Sequence, residues 1–111
     1  MTTEEKIRQQ ISDNPVLIYM KGTPEKPECG FSARAAQILT DTGIDYAFVN
    51  VLQSPFIYER LPAVSQFPTY PQVFIGGELI GGSDIVAELM ESGELMDMLQ
   101  AAKAAKAAAA S

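Results

Sequence analysis

The residue best suited to chemistry in this sequence is Cys29, the only cysteine among 111 residues. It lies where a restricted loop with two prolines, residues 22–28, meets a helical pattern over residues 30–42. A helix N-terminus has unpaired N–H groups and about half a positive charge, and both favour the reactive thiolate. Lys21 is placed to add positive charge nearby. The position therefore favours a reactive cysteine over the alternative of a buried, inert one.

The chain offers no second group to complete a site around Cys29. A dithiol oxidoreductase would have a second cysteine at position 32, where this chain has Ser32, and a hydroxyl does not exchange with disulfides. The absence of histidine excludes Cys–His nucleophile pairs and nearly every mononuclear zinc site. Any disulfide or metal chemistry therefore requires a second chain, a small-molecule thiol, or both.

The composition of the chain is typical of a globular protein that binds neither nucleic acid nor membranes. Hydrophobic residues make up 47% of the chain and charged residues 20%, which is typical of a globular protein. A net charge of −6 argues against binding to nucleic acid or to an anionic membrane surface. The first ten residues lack the pattern of a signal peptide, and the apolar run of residues 16–20 is too short to span a bilayer. We expect a cytoplasmic protein of one domain, residues 1–111.

The elements that position Cys29 follow from the hydrophobic pattern. Thr2 and Glu5 fit a capping box that starts a helix ending near residues 13–15. The pattern then predicts strands over residues 16–20 and 46–52, a short helix over residues 54–64, and a hairpin of residues 72–75 and 78–80 around Gly76-Gly77.

The C-terminal part is predicted to be helical, with one helix over residues 85–91 and another beginning at Glu94. From Ala101 the tail is rich in alanine and has no large apolar side chain, so we expect a helical, fraying end without chemistry. A β-α-β unit followed by a hairpin and two helices predicts an α/β fold, in which a four-stranded mixed β-sheet is flanked by helices.

Four motifs together carry a family resemblance. They are Met20-Lys21-Gly22, Cys29-Gly30-Phe31-Ser32, Pro68-Thr69-Tyr70-Pro71-Gln72 and Gly81-Gly82-Ser83-Asp84. In this order and spacing they resemble the single-domain monothiol glutaredoxins, over nearly the whole chain to about Leu99. The resemblance implies a thioredoxin-like fold and a glutathione-binding groove beside the cysteine.

The resemblance also implies a role for each residue of that groove. Lys21 would pair with the glycine carboxylate of glutathione, and Tyr70, before a cis Pro71, would pair through its backbone with the cysteinyl unit. Ser83 and Asp84 would hold the γ-glutamyl carboxylate and ammonium. From the residues alone, the alternatives are a solvated lysine, an ordinary trans proline that opens a strand, and a plain pair of helix-capping residues.

The chain departs from the family pattern in the short helix after Pro55. Tyr58 stands where relatives usually have arginine, and Arg60 lies two residues further on. Arg60 is the candidate second cation for the glycine carboxylate, although two residues turn a helix by about 200°. Phe67 also stands where tryptophan is usual, and Ser83 replaces a common cysteine.

The resemblance implies two functions of different classes. In the first, two Cys29 thiolates from a homodimer and two glutathione thiolates ligate a [2Fe-2S] cluster, which is passed to apo iron–sulfur proteins, with BolA-like proteins as further partners. In the second, Cys29 acts as the catalytic thiol of an oxidoreductase on protein–glutathione mixed disulfides. An inactive thioredoxin-fold interaction module is a third alternative.

Overall fold

The computed structural model describes residues 1–110, and its elements follow the predicted order. The helices are α1 (Thr3–Asp13), α2 (Gly30–Asp41), α3 (Pro55–Ser65), α4 (Ser83–Ser92) and α5 (Glu94–Ala110), and the strands are β1 (Val16–Met20), β2 (Ala47–Asn50), β3 (Gln72–Ile75) and β4 (Glu78–Gly81). A capping box formed by Thr2 and Glu5 begins α1, as predicted. In the described part of the chain, no helix is both long and apolar enough to cross a membrane.

The sheet is mixed and four-stranded, with the strand order β2-β1-β3-β4. Strands β1 and β2 are parallel, whereas β1 with β3 and β3 with β4 are antiparallel. This arrangement confirms the predicted thioredoxin-like fold. All five residues of β1 are buried, because both faces of the sheet are covered by helices.

Alternate residues of β1 supply two hydrophobic cores. Val16, Ile18 and Met20 pack with side chains from α2, α4 and α5 on one face. Leu17 and Tyr19 pack with side chains from α1 and α3 on the other. Both cores therefore fix the C-terminal end of β1, which leads directly into the segment before Cys29.

The structure corrects the predicted strand over residues 46–52. Strand β2 covers only Ala47–Asn50, and a short 3₁₀ turn, Val51–Gln53, follows it. The side-chain oxygen of Asn50 accepts hydrogen bonds from the backbone N–H groups of Leu52 and Gly22, at 3.1 and 3.0 Å. An asparagine that bonds the backbone locally ends strand pairing, which the alternation of apolar residues did not reveal.

The C-terminal tail is helical, as predicted, but it contacts the body of the protein more than expected. Helix α5 continues to Ala110, and Ala102 packs against the core beneath α2 and α4. The Lys106 ammonium donates to the Ser12 carbonyl at 3.4 Å. The tail therefore contacts the body of the protein through Ala102 and Lys106, although it has no large apolar side chain.

Candidate functional site

The loop of residues 22–28 brings Cys29 back to the end of β1. The Glu28 N–H donates to the Lys21 carbonyl at 3.0 Å, and Gly22 forms an isolated antiparallel bridge with Pro27. Gly22 has φ +91°, and a Cβ there would lie 2.5 Å from the Lys26 carbonyl oxygen. Glycine is thus required at this position, and the loop is a closed turn rather than a flexible linker.

Cys29 is the N-cap residue of α2 and is partly exposed. One turn further along, Ser32 is fully buried, and its hydroxyl accepts a hydrogen bond from the backbone N–H of Lys21 at 3.0 Å. Ser32 therefore joins the end of β1 to the first turn of α2. The sequence indicated only that Ser32 lacks the chemistry of a thiol, and it gave no signal of this structural role.

The start of α2 lowers the pKa of Cys29 below that of an ordinary thiol. The backbone N–H of Ser32 is the largest cause, followed among the favourable ones by the Phe31 N–H, the Ser32 hydroxyl and the charge of Lys21. Partial burial acts in the opposite direction. The Cys29 side chain makes no full capping hydrogen bond, so these donors act on its sulfur as nearby dipoles.

This arrangement predicts how Cys29 reacts as pH changes. The rate of alkylation by iodoacetamide should rise through a midpoint below that of the same chain unfolded in urea, because only the thiolate reacts. Lys21→Gln should raise the midpoint only slightly, since Lys21 is the smallest of the favourable causes. Mass spectrometry of samples stopped over a range of pH measures both midpoints. A folded midpoint at or above the unfolded one would contradict the helix-terminus effect.

A groove of about 840 Å³ lies beside Cys29, within the size range of small-molecule sites. The structure brings five of the six predicted site residues to its lining, which are Lys21, Cys29, Tyr70, Ser83 and Asp84. Arg60 is exposed on α3 and is not among the lining residues. In the described residues, Lys21 is the one cationic side chain that lines the groove.

Tyr58 occupies the lysine end of the groove. The Lys21 ammonium lies 5.8 Å from the centre of the Tyr58 ring, and the Tyr58 and Tyr70 rings are 5.2 Å apart. The Tyr70 hydroxyl donates to the Tyr58 carbonyl at 2.8 Å, and burial, followed by the proximity of Tyr58, raises the pKa of Tyr70 to about 12. Lys21 is therefore held against an aromatic face instead of projecting freely into solvent.

The peptide bond between Tyr70 and Pro71 is cis, as the resemblance implied. At the far end of the groove, the N-cap residue of α4 is Gly82, and Ser83 is the first helical residue. Ser83 and Asp84 are therefore not the capping residues of α4, which has no side-chain cap. The N–H groups of its first turn lack partners within the helix.

Arg34, which the sequence interpretation did not consider, forms an ion pair with Asp84. The distance between Arg34 Nη1 and Asp84 Oδ1 is 2.9 Å, and the pair joins α2 to α4 beside the groove. The two residues are 50 positions apart, so no local pattern could have indicated the contact. Among the described residues, no group of three or more His, Cys, Asp and Glu side chains could hold a metal ion.

Comparisons with known proteins show the family of this chain. The family profile named Glutaredoxin matches residues 16–80. The chain is 52% identical over 99 residues to Glutaredoxin 4 of Buchnera aphidicola, covering 89% of this chain and 92% of that protein. It is 50% identical over 99 residues to Glutaredoxin 4 of Escherichia coli K12, covering 89% and 86%.

A solved structure, the buckwheat glutaredoxin–glutathione complex, superposes with a TM-score of 0.81 at 29% identity, covering 91% of this chain and 90% of that one. The chain therefore belongs to the glutaredoxin family and, with its one cysteine, is of the monothiol kind.

Proposed function

We propose that this monothiol glutaredoxin carries a [2Fe-2S] cluster as cargo, held between two copies of the chain and passed to apo iron–sulfur proteins. The observation that carries the proposal is the placement of Cys29. Its sulfur is partly exposed at the rim of a groove, and Ser32, which is buried and bonded to Lys21, takes the place of a second thiol. The site is thus open to a partner sulfur from outside the chain.

The count of ligands supports a shared cluster. A [2Fe-2S] cluster is held by four sulfur ligands, and each chain supplies one. Two chains, each with glutathione in its groove, supply four thiolates. The groove accommodates a tripeptide by size, and the similar buckwheat protein is described in complex with glutathione. Two of the four ligands are then small molecules, which favours release of the cluster over permanent storage.

Three parts of the groove would hold the three units of glutathione. Lys21 binds the glycine carboxylate, the Tyr70 backbone aligns the cysteinyl unit, and the first turn of α4 receives the γ-glutamyl carboxylate near Asp84. Glutathione is thereby oriented with its thiol towards Cys29. We place this activity in a reducing compartment such as the cytoplasm, with BolA-like proteins as further partners.

The lowered pKa of Cys29 favours a second candidate function, that of a glutathione-dependent oxidoreductase. The Cys29 thiolate attacks the glutathione sulfur of a protein–glutathione disulfide, and the protein thiolate leaves and takes up a proton. A second glutathione thiolate then attacks the glutathione sulfur bound to Cys29. Oxidised glutathione is released and the Cys29 thiolate is restored. Over the cycle glutathione is oxidised, the protein substrate is reduced to its thiol, and Cys29 itself is unchanged.

One experiment separates the two functions. The chain is incubated anaerobically with ferrous iron, sulfide and glutathione, and its visible spectrum, iron content and size are recorded. The carrier function predicts a coloured dimer that forms with glutathione but does not form when S-methylglutathione, which lacks a free thiol, replaces it. A colourless monomer in the presence of glutathione, combined with fast turnover of a glutathionylated peptide, would overturn the carrier function in favour of the oxidoreductase.

The lining of the groove predicts which cations matter for glutathione. Lys21→Gln is expected to weaken binding of S-methylglutathione about tenfold, because it removes the charge partner of the glycine carboxylate. Arg60→Gln is the matched control and should leave binding unchanged, since Arg60 is not among the residues that line the groove. Calorimetric titration measures both affinities. Equal losses in the two variants would show that Arg60 reaches the ligand.

A further inference from the structure

A second cavity lies at the end of the sheet opposite Cys29. Its volume is about 610 Å³, within the size range of small-molecule sites. It is bordered by Pro15, just before β1, and by the hairpin turn of Gly76 and Gly77, whereas Cys29 follows the other end of β1. Parts of α1, α3 and α5 complete its walls. No residue lines both this cavity and the groove beside Cys29, so the two can be studied separately.

The interior of the second cavity is mainly apolar. Phe74 of β3 is almost fully buried, and Ile11 of α1 and Val64 of α3 are half-buried beside it. On the α5 side, Ala102 and Ala105 carry only methyl groups, so this helix covers the cavity without filling it. An apolar ligand placed here would be removed from water, which favours binding.

Cationic side chains line the same cavity from two helices, Arg8 from α1 and Lys106 from α5. No aspartate or glutamate of the described residues lines it, although the sequence has 14 acidic residues and a net charge of −6. Arg8 donates to the Glu4 carboxylate at 2.9 Å, and Lys106 donates to the Ser12 carbonyl at 3.4 Å. A guanidinium has five N–H donors and an ammonium has three, so both cations keep donors for an anion.

The contact between Lys106 and Ser12 also brings the two cations together. Arg8 and Ser12 are four residues apart on α1, and residues with this spacing are neighbours on one face of a helix. Lys106 thus reaches α1 within one turn of Arg8. One small anionic group can therefore meet both positive charges.

The combination of apolar and cationic groups narrows the class of ligand. A neutral apolar molecule would use the interior but not the cations, and an amine would be repelled by them. A nucleotide would place many polar groups against Phe74, Ile11 and Val64, where they would lack partners. A carboxylate at the end of an aliphatic chain uses both parts, since it accepts charge-assisted hydrogen bonds from guanidinium and ammonium groups.

We propose that this cavity is a binding site for a medium-chain aliphatic carboxylate. The aliphatic chain lies over Phe74, between α1 and α5, and the carboxylate lies between Arg8 and Lys106, which are exposed at the rim. The site is additional to the glutathione groove and does not depend on the proposed function, because the two share no lining residue.

The test uses sodium octanoate, 1-octanol and octylammonium chloride, which share one aliphatic chain and differ in charge. Amide NMR shifts of the folded, ¹⁵N-labelled chain measure where and how tightly each binds. Octanoate is expected to shift the amides of Gly76, Gly77 and Ala105 and to leave those of the groove unchanged. It should bind about threefold more tightly than octanol, a difference that shrinks as salt is added, and octylammonium should bind most weakly.

Three variants separate charge from space. Lys106→Gln is expected to weaken octanoate about three- to fivefold and to leave octanol unchanged, because it removes only the charge. Lys103→Gln is the matched control, since it removes the same charge from α5 at a position that does not line the cavity. Ala105→Leu should prevent binding of both ligands by filling the space. Ala105 is exposed and leucine is a good helix former, so the fold should be kept, which circular dichroism verifies.

Three results would each overturn the inference. The first is that octanoate shifts no amide of the cavity, and the second is that octylammonium binds as tightly as octanoate. The third is that Lys103→Gln weakens octanoate as much as Lys106→Gln does. The proposed function would stand in all three cases, because S-methylglutathione is expected to bind in the groove, whose lining is separate.

Discussion

Cys29→Ser is expected to abolish cluster assembly and disulfide exchange while leaving the fold and the groove intact. The replacement is close in size but removes the soft thiolate that both iron and a disulfide require. Cys29 contributes no full capping hydrogen bond to α2, so stability should change by only about 0.5 kcal/mol. Anaerobic reconstitution measures the loss of iron, and calorimetry with S-methylglutathione confirms that the groove still binds.

A second variant tests whether position matters as well as chemistry. The double variant Cys29→Ser with Ser32→Cys keeps one thiol in the chain but moves it to a position that is fully buried. We expect no cluster and slow alkylation, with thermal unfolding used to verify that the variant is folded. Recovery of cluster binding in this variant would show that a thiol does not need the N-cap position to act as the proposed ligand.

Gly22→Ala is expected to destabilise the protein by about 3 kcal/mol. The new methyl group would meet the Lys26 carbonyl oxygen and the Glu28 nitrogen at 2.5 and 2.7 Å, both of them backbone atoms that cannot move aside. The residue would also have to keep a φ of +91°, which disfavours any side chain. Urea unfolding followed by far-ultraviolet circular dichroism measures the loss of stability.

Gly43→Ala is the matched control for this second change. Gly43 has a similar φ of +75°, but a Cβ there would meet nothing within 4 Å. The Gly43→Ala variant should lose only about 1 kcal/mol of its free energy of unfolding. The difference in stability between the two variants therefore isolates the steric clash in the loop. Equal losses would contradict the assignment of the loop as a closed, close-packed turn. Because the loop ends at Glu28, we also expect Gly22→Ala to raise the pH midpoint of Cys29 alkylation.

Most of the fold was predictable because its signals are local. The capping box at Thr2, the buried run of β1 and the paired glycines of the hairpin each specify structure over a few residues, and each prediction was confirmed. The end of β2 was missed because the Asn50 oxygen bonds the backbone of Leu52, two positions on, and of Gly22, 28 positions away, and neither bond shows in the alternation of apolar residues. The contact of the tail through Lys106 and Ser12 was missed because it joins residues 94 positions apart and uses no large apolar side chain.

The residues of the site also differ in whether their signal in the sequence is local. Cys29 at a helix start follows from neighbouring residues, whereas the grouping of Lys21, Tyr70, Ser83 and Asp84 came from the family resemblance and was not deducible from spacing. The sequence showed that Tyr58 replaces an arginine, but only coordinates reveal that its ring lies beside the Lys21 ammonium. Arg34 was overlooked because its partner is distant in sequence and its charge resembles that of any exposed helical residue.

The hydrogen bond between Ser32 and Lys21 constrains how this protein could evolve. Replacing Ser32 by cysteine would add the second thiol of a dithiol site. Sulfur is a weak acceptor, however, and would leave the part-buried Lys21 N–H poorly bonded at the point where β1 meets α2. A lineage that gained the second thiol would lose part of the anchor that positions the first. The hydrogen bond from the Lys21 N–H to the Ser32 hydroxyl therefore favours serine over cysteine at position 32.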